Sequence, residues 1–211
     1  MALDDPKVTE VLAEYNRRLA KEEQLIKNSV SDASIDVNAL LIPVGEEVGR
    51  LMHALVVGLK AQTIVELGTS YGYSTLFLAE AARQTGGKVY SYDVAGEKQA
   101  YAHERLRRAG LADQVIFRLG DAVEFLPGQP GPVDFVLMDL WKDLYVPCLK
   151  AVAPLLGPSG TILADNMIFP PAARQDAENY RAAVRALGNM QSTLLPLGNG
   201  IDIAVKQAFI S

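Results

Sequence analysis

The sequence predicts an α/β fold: a mostly parallel central sheet with helices on both faces and an antiparallel C-terminal hairpin. Three observations carry this. From Thr63 to Ala164, short apolar runs alternate with helical patterns, which calls for right-handed βαβ units and a parallel sheet. One run breaks at glycine straight into a helix, in Val65-Glu66-Leu67-Gly68-Thr69-Ser70-Tyr71-Gly72-Tyr73-Ser74. Near the end, Gly198-Asn199-Gly200 separates the apolar stretches Met190–Leu197 and Ile201–Val205, a hairpin-type turn signal.

The elements follow in order. Val8, Val11, Leu12, Tyr15, Leu19, Leu25 and Ile26 recur at helical spacing and predict a helix over Lys7–Asn28. Ser29–Asn38 is polar and irregular. A second helix is expected over Val44–Leu59, with Leu51, Leu55, Val56 and Leu59 pointing inward. Strand Thr63–Leu67 feeds helix Ser74–Gln84, then strand Val89–Asp93, helix Glu97–Ala109 and strand Val115–Leu119. A short helix at Ala122–Leu126, strand Val133–Met138, helix Leu144–Leu156, strand Gly160–Ala164 and helix Asp176–Leu187 lead to the hairpin. Residues 1–211 thus read as a single domain, with 1–37 an N-terminal helical extension serving as a lid or a dimer element.

Composition narrows the function. A chain of 211 residues buries a real core. With net charge −5 and no Lys/Arg block, a nucleic-acid phosphate backbone is not an expected partner. No apolar run nears the roughly 20 residues that span a bilayer, and the first residues run into charged helix with no signal-type apolar region. The single cysteine, Cys148, allows no internal disulfide, and a cytoplasmic location is expected. His53 and His103 read as ordinary helix residues. Neither a Cys/His zinc spacing nor a G-x-S-x-G nucleophile elbow occurs.

In an open parallel sheet a ligand sits beyond the carboxyl ends of the strands. Each strand here ends in a group able to serve it: Glu66-Leu67-Gly68, Asp93, Gly120-Asp121-Ala122, Asp139 and Asp165-Asn166. A glycine bend followed about 20 residues later by Asp93 is the layout for gripping a nucleoside, the carboxylate taking the ribose hydroxyls. The dinucleotide fingerprint needs a second close-approach glycine, where this chain has Ser70. A pyrophosphate is poorly served, and S-adenosylmethionine (SAM) fits better. Asp139, Asp165 and Asn166 are hard oxygen donors at neighbouring strand ends, suited to Mg²⁺, with Mn²⁺ and Ca²⁺ as alternatives. Asp165 and Asn166 can share an ion only where strand gives way to loop. Lys142, three residues after Asp139, is the candidate general base, and Trp141 has a flat ring able to wall an adenine.

Taken together, the glycine bend, Met138-Asp139-Leu140-Trp141-Lys142-Asp143-Leu144-Tyr145, Leu163-Ala164-Asp165-Asn166 and Leu195-Pro196-Leu197-Gly198-Asn199-Gly200-Ile201 resemble the cation-dependent O-methyltransferases. That family includes the catechol and caffeoyl-CoA enzymes, and the similarity runs from about Asn38 to Lys206. It implies a Rossmann-like SAM methyltransferase fold. It implies that Glu66, Gly68, Ser70 and Ser74, with Gly72 in the same bend, hold the methionine end of SAM. Asp93 would hold the ribose, Asp121, Ala122 and Trp141 the adenine. Asp139, Asp165 and Asn166 would bind the metal, with Asp139 also bordering SAM, and Lys142 would be the base. Trp141 resembles the catechol enzyme at this turn, whereas the ending resembles the plant and bacterial branch, with Pro196 where the catechol enzyme has a glutamate. Phe169–Asp176 is short for a coenzyme A loop. The expected reaction is methyl transfer to a vicinal hydroxyl of a catechol or hydroxycinnamate-type small molecule, in a possible homodimer. The alternatives are a catalytically silent SAM-fold module and an NAD-dependent oxidoreductase.

Overall fold

The computed structural model describes residue 3, residues 5–28 and residues 36–207; the polar stretch 29–35, part of the expected N-terminal extension, lies outside the described residues. Helix α1 (Pro6–Asn28) is followed by α2 (Glu46–Leu59) and β1 (Thr63–Leu67). Then come α3 (Tyr73–Thr85), β2 (Lys88–Asp93), α4 (Gly96–Ala109), β3 (Val115–Leu119) and the one-turn α5 (Ala122–Phe125). Strand β4 (Val133–Met138), α6 (Tyr145–Val152), β5 (Leu156–Ala164), α7 (Arg174–Ala186), β6 (Met190–Leu195) and β7 (Ile201–Lys206) complete the chain.

The seven strands form one sheet in the order β3-β2-β1-β4-β5-β7-β6. Strands β1 to β5 pair in parallel, and β7 runs antiparallel between β5 and β6. The expected architecture is therefore the observed one. Strand order reverses at β1, whose neighbours are β2 and β4, and this switch point opens a crevice at the carboxyl rim. Two cores cover the sheet. On one face Val8, Tyr15, Met52, Phe77 and Leu106 pack over Ile64 and Phe135. On the other, Tyr145, Leu149, Val152 and Tyr180 pack over Val65, Val136 and Ile162.

Helices α2 and α7 and strand β6 shift by two residues at one end from the expected bounds, and larger differences have local reasons. The helix expected over Leu144–Leu156 stops at Val152 and passes into a 3-10 turn, Ala153–Leu155, where Pro154 has no N–H to give. Strand β5 begins at Leu156 instead of Gly160, with a register shift against β4 between Val133 and Phe135. In α2 the buried stripe is Val48, Met52 and Val56, while Leu59 is exposed; four-residue spacing, not side-chain size, sets the inward face. In α1, Val8, Val11, Leu12 and Tyr15 are buried, whereas Leu25 and Ile26 are exposed. The first half of α1 thus belongs to the core of the domain. Glu14 anchors it to α4 through Arg105 and Arg108. Among the described residues no helix is long and apolar enough to cross a membrane.

Candidate active site

The strand β1 to helix α3 joint is built by glycine. Gly68 takes φ 101° and Gly72 φ 85°, with Ser70 also left-handed at φ 45°. A Cβ on Gly68 would lie 2.1 Å from the Asp139 carbonyl oxygen, so only glycine lets the bend close on the end of β4. Gly72 is the N-cap of α3, leaving the first helical N–H groups facing the crevice. The resulting cleft is lined by Leu41–Val44 on one side and by Gly68–Tyr71, Tyr73, Ser74 and Asp139 on the other.

Behind the bend, Glu66 is fully buried and accepts hydrogen bonds from Ser74 Oγ at 2.6 Å, Thr75 Oγ1 at 2.7 Å and Ser91 Oγ at 2.5 Å. Burial pushes its carboxyl up to about 7, while the three hydroxyls pull in the opposite sense. Glu66 and Ser74 therefore spend their side chains on each other and lock strand to helix. Asp93, at the end of β2, accepts the Ser70 backbone N–H on Oδ2 at 2.7 Å and the Ala95 N–H on Oδ1 at 2.8 Å. Each oxygen keeps a lone pair for a hydroxyl. Asp121 caps α5 through the Val123 N–H at 2.8 Å, and Ala122 is buried beside it. Trp141 stands 68% exposed at the same rim, its ring open to a flat ligand.

The second half of the site lies one strand over. Met138 of β4 pairs with Ala164 of β5, so Asp139 and Asp165 follow on neighbouring strands, and the Asp165 N–H donates to the Met138 carbonyl at 3.1 Å. Asn166 adopts φ 55°. The chain has left the strand there, which is the condition for Asp165 and Asn166 to serve one site. Asn166 Oδ1 accepts a hydrogen bond from Lys142 Nζ at 3.1 Å. The hairpin turn holds the following loop in place: Asn199 and Gly200 carbonyls accept the Met167, Ile168 and Phe169 N–H groups at 2.9–3.0 Å.

Charge is concentrated here. Burial pushes Asp139 up, while Lys142 opposes the shift. Burial also raises Asp165, and the Asp139 charge adds to that rise. Burial holds Lys142 below the usual lysine range, against the pull of both carboxylates. Asp165 Oδ1 is buried with no hydrogen-bond partner, an arrangement costing about 1–3 kcal/mol unless a ligand meets it. Among the described residues no three His, Cys, Asp or Glu side chains gather as a ligand group; the set here is two carboxylates and an amide. Those oxygens, one of them orphaned, fit a hard divalent cation. One participant escaped the sequence reading. Tyr145, buried, hydrogen-bonds with Lys142 Nζ and donates to the Met138 and Asp165 carbonyls at 2.8 and 3.1 Å. Its position, one turn after Lys142 in an apolar helix, was the only available signal.

The chain resembles known methyltransferases in sequence and in fold. Residues 65–167 match a family described as a methyltransferase domain. Over 183 residues the chain is 32% identical to a catechol O-methyltransferase from Niastella koreensis, covering 81% of this chain and 80% of that protein. It is 29% identical to caffeoyl-CoA O-methyltransferase 1 of Eucalyptus globulus over 74% of this chain and 71% of that one. The crystal structure of an O-methyltransferase from Bacillus cereus in complex with SAH superposes with a TM-score of 0.71 at 23% identity, covering 90% of this chain and 91% of that one. The glycine bend, the strand-end carboxylates and these relatives lead to one assignment: the chain belongs to the cation-dependent O-methyltransferase family.

Proposed function

We propose that the chain transfers the SAM methyl group to one hydroxyl of a vicinal dihydroxy aromatic small molecule, with a divalent cation held by Asp139, Asp165 and Asn166. One observation carries the reading. Asp139 lines the glycine-bend cleft and also follows the strand position paired with the one before Asp165, whose carboxyl feels the Asp139 charge and has one oxygen unpartnered, so methyl donor and cation would share a wall. The relatives named for catechol and caffeoyl-CoA support the substrate class.

When bound, the cation supplies Lewis-acid polarisation of the acceptor oxygens. The protein's own groups do the rest. Gly68, Ser70 and Ser74 line the methionine end of the cleft, with Gly72 opening the helix and Glu66 holding Ser74 from behind. Asp93 takes the ribose hydroxyls, and Asp121, Ala122 and Trp141 border the adenine. Lys142, kept below its usual range by burial, accepts the hydroxyl proton. Holding donor and acceptor on one rim supplies much of the acceleration as orientation already set before reaction.

The reading is tested with labelled SAM against a panel of catechols, hydroxycinnamates and their monohydroxy analogues. Transfer to the vicinal diols alone is expected. Equal rates on monohydroxy compounds would remove chelation by paired hydroxyls from the mechanism. Asp93→Ala is expected to weaken SAM binding by about 1–3 kcal/mol, the cost of losing a hydrogen-bonded carboxylate partner. Titration calorimetry checks this, and unchanged affinity would put the ribose elsewhere.

A further inference from the structure

The two walls of the donor cleft come from distant parts of the chain, the glycine bend and the segment Leu41–Val44 that precedes α2. One polar cluster on α1 reaches both. The Arg18 guanidinium lies 3.9 Å from the Tyr71 ring centroid, and its Nη2 donates to the Ala39 carbonyl at 2.9 Å. Its Nε donates to Glu22 Oε1 at 2.6 Å, and the other Glu22 oxygen accepts the Leu41 N–H at 2.8 Å. Tyr15, on the preceding turn of α1, donates to the Tyr71 carbonyl at 2.6 Å. Tyr101 braces the Tyr71 ring edge-on at 5.4 Å. The Arg18 and Glu22 side chains are only 23% and 13% exposed, so these contacts outweigh those of an open surface pair.

A second observation is independent of the first. Ile42, the residue after the clasped Leu41, has φ 38°. A β-branched side chain avoids the left-handed region, and such a conformation persists only where its surroundings hold it.

We propose that Arg18 and Glu22 are positioning residues that strap the Leu41–Val44 segment along the donor cleft and so set how long SAM stays bound. The inference rests on the assignment of that cleft to SAM. Neither residue touches the reacting atoms; both act through Leu41 and Tyr71. A wall fixed in advance lowers the ordering cost of binding, and a wall that wanders reduces the binding-competent fraction and the affinity with it. Arginine is required because its planar fork stacks on Tyr71 while bonding Ala39 and Glu22, which an ammonium cannot do together.

The test is calorimetry and stopped-flow dissociation of SAM and SAH with the full chain, its Arg18→Ala, Arg18→Lys and Glu22→Gln variants, and steady-state kinetics alongside. Arg18→Ala is expected to bind SAM about tenfold more weakly, mainly through faster dissociation, with KM for SAM changing far more than kcat. Arg18→Lys should recover little of this. Glu22→Gln keeps an acceptor for the Leu41 N–H and should fall between. A folded Arg18→Ala with wild-type affinity and dissociation rate overturns the strap. If that variant does not fold, Glu22→Gln decides: faster SAM release supports the strap and a wild-type rate overturns it. Wild-type protein that binds neither SAM nor SAH overturns the donor assignment, and this inference with it.

Discussion

EDTA is expected to suppress methyl transfer by at least ~100-fold, and added Mg²⁺ or Mn²⁺ to restore it. The reason lies in the charges at the strand ends. Asp139 and Asp165 follow paired strand positions, and burial raises both carboxyls above their ordinary value of 3.8. In the folded protein without a cation they therefore hold protons that the unfolded chain has already released. Stability conferred by the site falls as pH rises through that window, because the unfolded state binds fewer protons there. A cation held there would bind the deprotonated pair, and so would remove a penalty that exists only on the high-pH side. The thermal midpoint should accordingly rise with Mg²⁺ more at about pH 8 than at about pH 5.5, and Asp165→Asn should abolish most of the difference. Full turnover in chelator, or a Mg²⁺ effect on Tm indifferent to both pH and Asp165, would remove the ion from these residues.

Glu66 is a third carboxyl raised by burial, to about 7, yet its surroundings differ in kind. Three hydroxyls surround it, two from α3 and one from β2, so it ties β1 to the helix that follows the bend and to the neighbouring strand. Asp165 Oδ1 has no such donors. Glu66 and Asp165 thus differ in role: the first is internally satisfied and holds the bend, the second is left short of a partner that a cation can supply. This is why the strand-end pair, and not the more deeply enclosed Glu66, is the place to look for metal.

The parallel sheet was legible because its strands, covered on both faces, read as short apolar runs, and because glycine alone fits the bend at Gly68 against Asp139. The strand-end acids were legible for the same reason, since each follows an apolar run directly. Pairings across the chain were not. Nothing in local pattern says that Ser91 bonds Glu66, that Tyr145 meets Lys142, or that Arg18 lies on Tyr71. Each joins residues brought together by packing or by helix phase. The exposed Leu59 shows the converse: size and apolarity suggested an inward side chain, and the geometry of α2 turned it out.

Lys142→Ala is expected to lower kcat by ~10²–10⁴ while leaving SAM affinity almost unchanged, the range for loss of a positioned general base. Lys142 opens the 3-10 turn after Asp139, and its Nζ reaches Asn166 Oδ1 at 3.1 Å and lies 4.1 Å from the Tyr145 ring centroid. This fixes the amine at the rim shared by the candidate cation donors. Burial lowers its pKa, and the two carboxylates partly restore it. Neutralising those carboxylate charges with a bound cation would weaken the restoring effect and move the amine further toward the neutral form that accepts a proton. The base is active when deprotonated, so kcat should climb with pH and level off above the Lys142 pKa. That rising limb should disappear in Lys142→Ala. Lys142→Arg keeps the charge but cannot release a proton near neutral pH, so it should be as slow as the alanine variant. A fast Lys142→Arg enzyme would mean that Lys142 contributes charge alone, and the proton would then have to leave by another route.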